Sequence, residues 1–243
     1  MKLTSRTGLR LLVFPGLREL EASGLRCAIS TRPLDVRDRR QQDQLCRALG
    51  FDPERARALR QVHGAQVVRA AAGGADERPE ADALTTDATG CALQLRAADC
   101  SLVVVVDPER RAVGAAHAGW RGSAAGVVRN LVTALRDTYG CEPSRCRAAV
   151  GPTICSGHYP VGPEVLEAFA AAYPWASECA RSEAGQLHFD LAAAIRRSLV
   201  DQGLEPDAIE VAGQCTRCRD DLLHSYRRDG AGTAHHGLVV GWL

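Results

Sequence analysis

The chain has 243 residues, with 30 basic and 29 acidic side chains and a formal net charge of +1, so no long-range field draws it to nucleic acid or to an anionic membrane. That length suits one large core or two small domains. No linker-like stretch divides it, since AAAGGADERPEADA (70–83) reads as a surface loop, and a single domain over 1–243 is expected.

The N-terminal stretch MKLTSRTGLRLLVFPGL has only the short apolar run Leu11–Phe14, too short for a signal-peptide core. CAIST (27–31) predicts a strand that ends at Arg32 and Pro33, and DRRQQDQLCRALG (38–50) a helix stopped by Gly50. QVVRA (66–70) reads as a strand just beyond His63. CALQLRA (91–97) alternates like a half-buried strand, and the β-branched run SLVVVVD (101–107) reads as a buried one. AVGAAH (112–117) is a shorter strand.

SAAGVVRNLVTALRDTYG (123–140) carries apolar residues at 127, 128, 131, 132 and 135, which predicts an amphipathic helix stopped by Gly140. RAAVGP (147–152) is a small strand, and PEVLEAFAAAY (163–173) is a helix opened by Pro163. FDLAAAIRRSLVDQG (189–203) is a helix with Asp190 as N-cap, and GLVVGWL closes the chain as a strand. Strands and helices mix without strict βαβ alternation, which predicts an α+β fold rather than a doubly wound sheet.

Lys2 is the only lysine, which excludes a Walker-type phosphate loop and a Schiff-base mechanism. No run of 18 apolar residues exists, so no transmembrane helix is predicted. The ten cysteines, in a chain this large and without an export signal, read as reduced thiols of a cytoplasmic protein, most of them buried.

A hairpin of SLVVVVD and AVGAAH, joined by PERR (108–111), pairs Asp107 with Ala112 and so sets Leu102 opposite His117. Cys100 then shares a face with His117 as a diagonal neighbour, a separation of about 7–8 Å at Cα that two side chains can bridge through a shared ligand. A thiolate and an imidazole converging there suit zinc, copper, or a Cys/His nucleophile–base pair. His63, followed by Gly64, is a candidate third ligand. The next segment, AGWRG, is a Gly-rich turn that opens the helix at 123. It reads either as an anion site, with Arg121 adding a bidentate phosphate contact, or as a plain helix start with Trp120 in the core.

At these residues the chain resembles the YfiH-type proteins, also known as the polyphenol-oxidase or laccase-domain family. The resemblance is carried by RQVHGAQVV (60–68), DALTTDATGCALQLRAADC (82–100), AAHAGWRGSAAGVV (115–128), GPTICSGHYPVGPEV (151–165) and CTRCRDDLLHSYRRDG (215–230). It implies a single α/β layered sandwich with mixed sheets flanked by helices. It implies a catalytic zinc on His63, Cys100 and His117, small-molecule nucleoside and phosphate as partners, and purine-nucleoside chemistry. That chemistry is phosphorolysis of adenosine, inosine, guanosine or methylthioadenosine, together with deamination of adenosine. Some members are linked to peptidoglycan-precursor editing, which for this chain would make Cys100 and His117 a hydrolytic pair. A degenerate member that binds without turnover is a further alternative.

The seven histidines include no His-x-His pair and the only methionine is Met1, which argues against copper and against laccase chemistry. The sequence departs from the family where Thr31-Arg32 runs through PLDVRD straight into a helix, without the usual Gly-Gly-Val-Ser and Leu-Asn-Leu-Gly segments. Leu102 stands where a proline is usual, and AGTAHHG (231–237) where Thr-Gly-Arg is usual. Arg121 is the leading candidate for the catalytic anion contact. Arg32, Arg227 and Arg228 are further candidates for substrate or phosphate. Asp99 either orients a metal histidine or caps a turn. Cys215 and Cys218 form a C-x-x-C, whose plain reading is that Cys215 belongs to the family's Cys-Thr motif and Cys218 is incidental. As a second zinc site it would need two more ligands, for which His224 or His235 is available, and as a dithiol it would be a redox pair. His158 and His188 are expected to be structural. The sequence leaves the oligomeric state open.

Overall fold

A computed structural model describes residues 1–70 and 78–243. Of the loop expected over 70–83, residues 71–77 lie outside the described residues.

The elements run β1 (Lys2–Arg6), β2 (Leu9–Val13), α1 (Pro15–Arg18), β3 (Leu25–Ser30), α2 (Arg39–Ala48), β4 (Arg57–Ala58), β5 (Val67–Arg69), β6 (Ala83–Thr86), β7 (Leu93–Ala97), β8 (Ser101–Asp107), β9 (Ala112–Ala118), α3 (Trp120–Ala124) and α4 (Val127–Tyr139). They continue as β10 (Arg147–Val150), β11 (Pro160–Val161), α5 (Pro163–Ala170), β12 (Ala180–Glu183), β13 (Gln186–Phe189), α6 (Leu191–Asp201), β14 (Ile209–Val211), α7 (Tyr226–Asp229) and β15 (His236–Trp242). One six-stranded sheet has the order β1-β2-β3-β15-β7-β4, the other β14-β10-β8-β9-β6-β5, and β11-β13-β12 form a small third sheet. Both large sheets are mixed, with β4–β7, β5–β6 and β10–β14 parallel. The fold is α+β, as expected.

Side-chain alternation along the strands explains the layering. From β8 and β9, Val103, Val105, Ala116 and Ala118 point one way and pack with Val128, Leu131 and Leu135 of α4 and with Ile195 and Leu199 of α6. Leu102, Val104, Val106, Val113 and Ala115 point the other way, against Leu93, Leu95, Leu238, Val240 and Ile29 of the first sheet. That sheet turns Ala28, Ala92 and Val239 outward onto Leu45, Cys46 and Leu49 at α2. The order of layers is therefore α2, sheet, sheet, helices. SLVVVVD carries no polar alternation because both its faces are covered.

Two differences from the sequence reading have simple causes. The helix expected over 123–140 is two helices, because Gly126 adopts a left-handed φ of 90° between α3 and α4. Gly-Trp-Arg-Gly therefore opens a five-residue turn of helix, not the long amphipathic one. The N-terminal segment, to which no element was assigned, is the β1–β2 hairpin. The N-cap role of Asp190 is as expected, with its carboxylate accepting from Ala193 N at 2.9 Å. All ten cysteines are free, and Cys27, Cys46, Cys91, Cys141, Cys146 and Cys179 are buried. Among the described residues no helix is long and apolar enough to cross a membrane.

Candidate metal centre and its cavity

The β8–β9 register is the one the four-residue turn demands: Asp107 faces Ala112 and Leu102 faces His117. Cys100 precedes β8 and His117 lies near the end of β9, so the hairpin brings both to one rim of the second sheet. His63 arrives from the loop before β5. The ligand-capable atoms of His63, Cys100 and His117 lie within 4.8 Å of one another. His117 is buried, Cys100 half-buried and His63 exposed. The two imidazoles stand edge to face with centroids 4.8 Å apart.

Asp82, one residue before β6 and completely buried, organises this trio. Its Oδ1 accepts from His117 Nδ1 at 2.8 Å and from His63 N at 3.1 Å. Its Oδ2 accepts from Gly64 N at 2.7 Å and Val62 N at 3.1 Å. The His117 backbone N–H also donates to Asp82 O at 2.7 Å. One carboxylate thus fixes the loop that presents His63 and the tautomer of His117, whose Nε2 is left for the site. Burial raises the Asp82 carboxyl pKa, but the His117 hydrogen bond and the backbone donors of Gly64 and Val62 outweigh it and hold the group below its ordinary range. Burial likewise opposes ionisation of Cys100 and His117. Their mutual attraction, with Asp82 behind the imidazole and His63 beside the sulfur, prevails and favours a thiolate–imidazolium pair.

Close packing leaves no room between the sulfur and the Gly119 backbone. A Cβ on Gly119 would sit 2.8 Å from Cys100 Sγ and 3.1 Å from His63 Nδ1. Two residues at the site adopt the left-handed region without being glycine, His63 at φ 59° and Asp99 at φ 90°. Such conformations cost about 1–3 kcal/mol each and persist where surrounding bonds fix them. For His63 the fixing partner is Asp82. For Asp99 it is the C-terminal segment: Oδ1 accepts from Thr216 Oγ1 at 2.5 Å and Oδ2 from Arg227 N at 2.6 Å. Asp99 therefore caps a turn, and the carboxylate that orients a histidine of the trio is Asp82. Asp82 is the first residue of DALTTD, and nothing local to that motif reveals its partners twenty and thirty-five residues away.

The trio opens onto a cavity of about 690 Å³ whose wall includes Arg96, Arg121, Arg227, Tyr159, Tyr226 and His235. Arg121 lies over the Trp120 ring, 4.4 Å from its centroid, and Arg227 over Tyr159 at 5.2 Å. Among the described residues no carboxylate forms an ion pair with Arg96, Arg121 or Arg227. Burial, then the nearby Arg78 and Arg37, lower the Arg96 pKa by more than the attraction of Asp35 raises it. Burial, then Arg96 and Arg37, push His235 down to about 4, so it faces the cavity neutral.

Of the expected arginines, Arg121 and Arg227 thus line the cavity and Arg32 and Arg228 do not. Arg32 lies 3.9 Å from Asp229. Arg228 is committed to Asp229 and to the carbonyls of Thr216, Arg217 and Leu223, so it braces the C-terminal loop. Arg96, Tyr159 and Tyr226 were missed, because each lies in a segment whose pattern reads as strand or loop. His224 donates to Leu34 O at 2.9 Å, and His188 Nδ1 meets Ser156 O at 2.7 Å. Neither lines the cavity.

Residues 23–242 match the family of multi-copper polyphenol oxidoreductase laccase proteins. The chain is 39% identical over 198 residues to a purine nucleoside phosphorylase of Deinococcus radiodurans, covering 82% of this chain and 74% of that one. It is 35% identical over 196 residues to the adenosine deaminase RL5 of an unknown prokaryotic organism, covering 76% of this chain and 74% of that one. The crystal structure of the hypothetical protein YfiH of Bacillus licheniformis has the same fold, with a TM-score of 0.88 over 97% of this chain and 96% of that one at 24% identity. With 220 of its residues matched in one block, the chain belongs to the multi-copper polyphenol oxidoreductase laccase family.

Proposed function

We propose that the protein is a zinc-dependent purine nucleoside enzyme that phosphorolyses adenosine, inosine, guanosine or methylthioadenosine and deaminates adenosine, working as a single domain. The observation that carries this reading is the convergence of His63, Cys100 and His117 within 4.8 Å on the wall of an arginine-lined cavity of about 690 Å³. That volume is the size of a small-molecule site. Relatives named for both activities support it.

The donor set fits zinc: two imidazoles and one thiolate leave a fourth position open to substrate. A blue-copper site would add an axial methionine to this set, but the only methionine is Met1, whose amine pairs with Glu210 at 3.2 Å. Of the other histidines only His235 lines the cavity, too few to supply the many imidazoles of a multicopper cluster. A zinc ion bound here would acidify a water and polarise a substrate oxygen.

The remaining chemistry belongs to the chain. Asp82 accepts the Nδ1 proton of His117 and so keeps Nε2 directed at the site, where a bound zinc would take the place of the Nε2 proton. Arg121, Arg96 and Arg227 form a cationic wall suited to phosphate, or to the charge developing on a leaving purine. Tyr226, 58% exposed at the rim, offers a ring face to a purine. Zinc-loaded protein should release base from inosine and adenosine only with phosphate present, and convert adenosine to inosine without it. If both nucleosides are returned unchanged under both conditions, the reading is wrong.

One observation favours a second reading. Asp82, His117 and Cys100 form a chain of acid, imidazole and thiol of the kind that activates a cysteine nucleophile. A metal-free hydrolase acting on peptidoglycan precursors would use it directly. Rapid alkylation of Cys100 in protein as purified, unchanged by added chelator, would favour that reading over zinc.

A further inference from the structure

A second cluster of metal-ligating side chains lies outside the cavity wall. Cys155, His158, Cys215 and Cys218 present one ligand atom each within 4.8 Å of one another. The C-x-x-C was paired in the sequence reading with His224 or His235. The structure instead brings it to Cys155 and His158, a C-x-x-H on the other side of the chain.

The distances are those of a single tetrahedral ion. His158 Nδ1 lies 3.4 Å from Cys155 Sγ, 3.8 Å from Cys215 Sγ and 3.3 Å from Cys218 Sγ. Zinc at its usual bond lengths to sulfur and nitrogen gives tetrahedral edges of about 3.6 Å for S···N. One imidazole nitrogen can satisfy one thiol by hydrogen bonding, not three, so the convergence asks for a shared cation. A disulfide would use two of the sulfurs and leave the third sulfur and the histidine unexplained. A multi-iron cluster would not fit between ligands this close. Four protein ligands close the coordination shell, which is the pattern of a structural site and not a catalytic one.

The surroundings are built to match. The Cys155 N–H donates to Cys215 Sγ at 3.3 Å, the kind of backbone contact that stabilises a metal thiolate. Thr153 and Cys215 form a parallel bridge, and the Thr216 N–H donates to Thr153 O at 3.2 Å. His188 holds the turn through Ser156 O.

We propose that Cys155, His158, Cys215 and Cys218 bind a structural zinc ion that staples the 153–158 segment to the 214–218 segment. These are the segments that grip Asp99. Thr153 Oγ1 and Ile154 N donate to the Asp99 carbonyl at 2.6 and 3.0 Å, and Thr216 Oγ1 donates to its carboxylate. Asp99 immediately precedes Cys100, so the staple supports the strained turn that carries the cavity thiol.

The test is zinc analysis of protein purified without chelator, joined to zinc X-ray absorption on the unaltered chain. Two zinc ions per chain are expected, with an average of about two sulfur neighbours per zinc from the two donor sets. Cys218→Ser and His158→Asn should each lose one zinc and lower the melting temperature, and Cys100→Ala should lose the other. One zinc per chain with about three sulfur neighbours would support the staple and refute the zinc of the proposed enzyme. One zinc with a single sulfur neighbour would overturn the staple. So would a Cys215–Cys218 disulfide found by mass spectrometry of the unreduced protein. The absorption measurement needs no variant and decides the matter even if Cys218→Ser fails to fold.

Discussion

Asp82→Asn is the most informative single change at the trio, because it exchanges an oxygen for an amide at nearly constant volume. Oδ1 of Asp82 serves His63 N and His117 Nδ1, and Oδ2 serves Val62 N and Gly64 N. An asparagine keeps one acceptor oxygen. With that oxygen toward His117, the new amide group faces the N–H groups of Val62 and Gly64. With the amide reversed, it faces His63 N and forces His117 to accept at Nδ1, which moves the ring proton to Nε2 and removes the lone pair that a metal needs. The first orientation leaves two donors without an acceptor and the second leaves one, at about 1–3 kcal/mol each. The expected loss is roughly 1–6 kcal/mol from a total stability of about 5–15 kcal/mol. Zinc affinity should fall about 10–100-fold, the usual cost of removing a carboxylate behind a metal histidine. Urea unfolding followed by circular dichroism measures the first quantity, and competition with a chromophoric chelator the second. A variant within about 0.5 kcal/mol of the parent that binds zinc equally well would show that Asp82 does not organise the site.

Three further outcomes follow from other parts of the structure. Gly119→Ala places a methyl 2.8 Å from Cys100 Sγ, so the protein should keep its circular dichroism spectrum and lose the zinc at the trio; full retention of that zinc would refute the crowding. Arg121→Ala should raise the KM for phosphate about 10–100-fold, the loss of one charge-assisted hydrogen bond, and an unchanged KM would remove Arg121 from the anion site. His236 is fully buried with both ring nitrogens unpaired, and burial, then His224 and His235, push its pKa down to about 3. The unfolded chain takes up that proton near pH 6.5 and the folded chain does not, so stability should fall as pH drops from about 6.5 toward 3, by up to about 1.4 kcal/mol per unit. His236→Leu should remove the His236 share of that slope, leaving the part due to His224 and His235, and leave stability at pH 7 unchanged or higher. Parallel urea midpoints for the two proteins between pH 7 and 4 would refute the assignment.

What could be read from the sequence was what short range decides. The β8–β9 register followed from a four-residue turn, because a turn of fixed length leaves one pairing of the two apolar runs, and it placed Cys100 and His117 together correctly. The α6 cap at Asp190 and the strand ends near Ser101 and Trp242 were legible for the same reason. The helix at 123 was misjudged because the apolar spacing of 127–135 extends smoothly backwards in sequence, while Gly126 breaks it through a backbone angle that spacing cannot reveal. His63 was placed by family resemblance and by a following glycine, not by any geometric derivation.

The residues that sequence reasoning missed share a physical trait: each acts across two or more elements that are distant along the chain. Asp82 joins the loop at 62–64 to the end of β9, and a carboxylate before a strand looks the same whether it caps that strand or orders a site. Cys155 and His158 meet Cys215 and Cys218 only because the Thr153–Cys215 bridge lays two loops side by side. Both constellations end on the same short stretch. Asp82 fixes the two histidines from one side, while the 153–158 and 214–218 segments fix Asp99, and with it Cys100, from the other. The thiol and the imidazoles thus approach from two independently braced halves of the structure. Loosening either half should separate them by a small distance, and a metal held by three short bonds is sensitive to that. On this reasoning, damage at Cys218 should weaken the first site without touching any of its members, whereas damage at Asp82 should leave the second cluster intact.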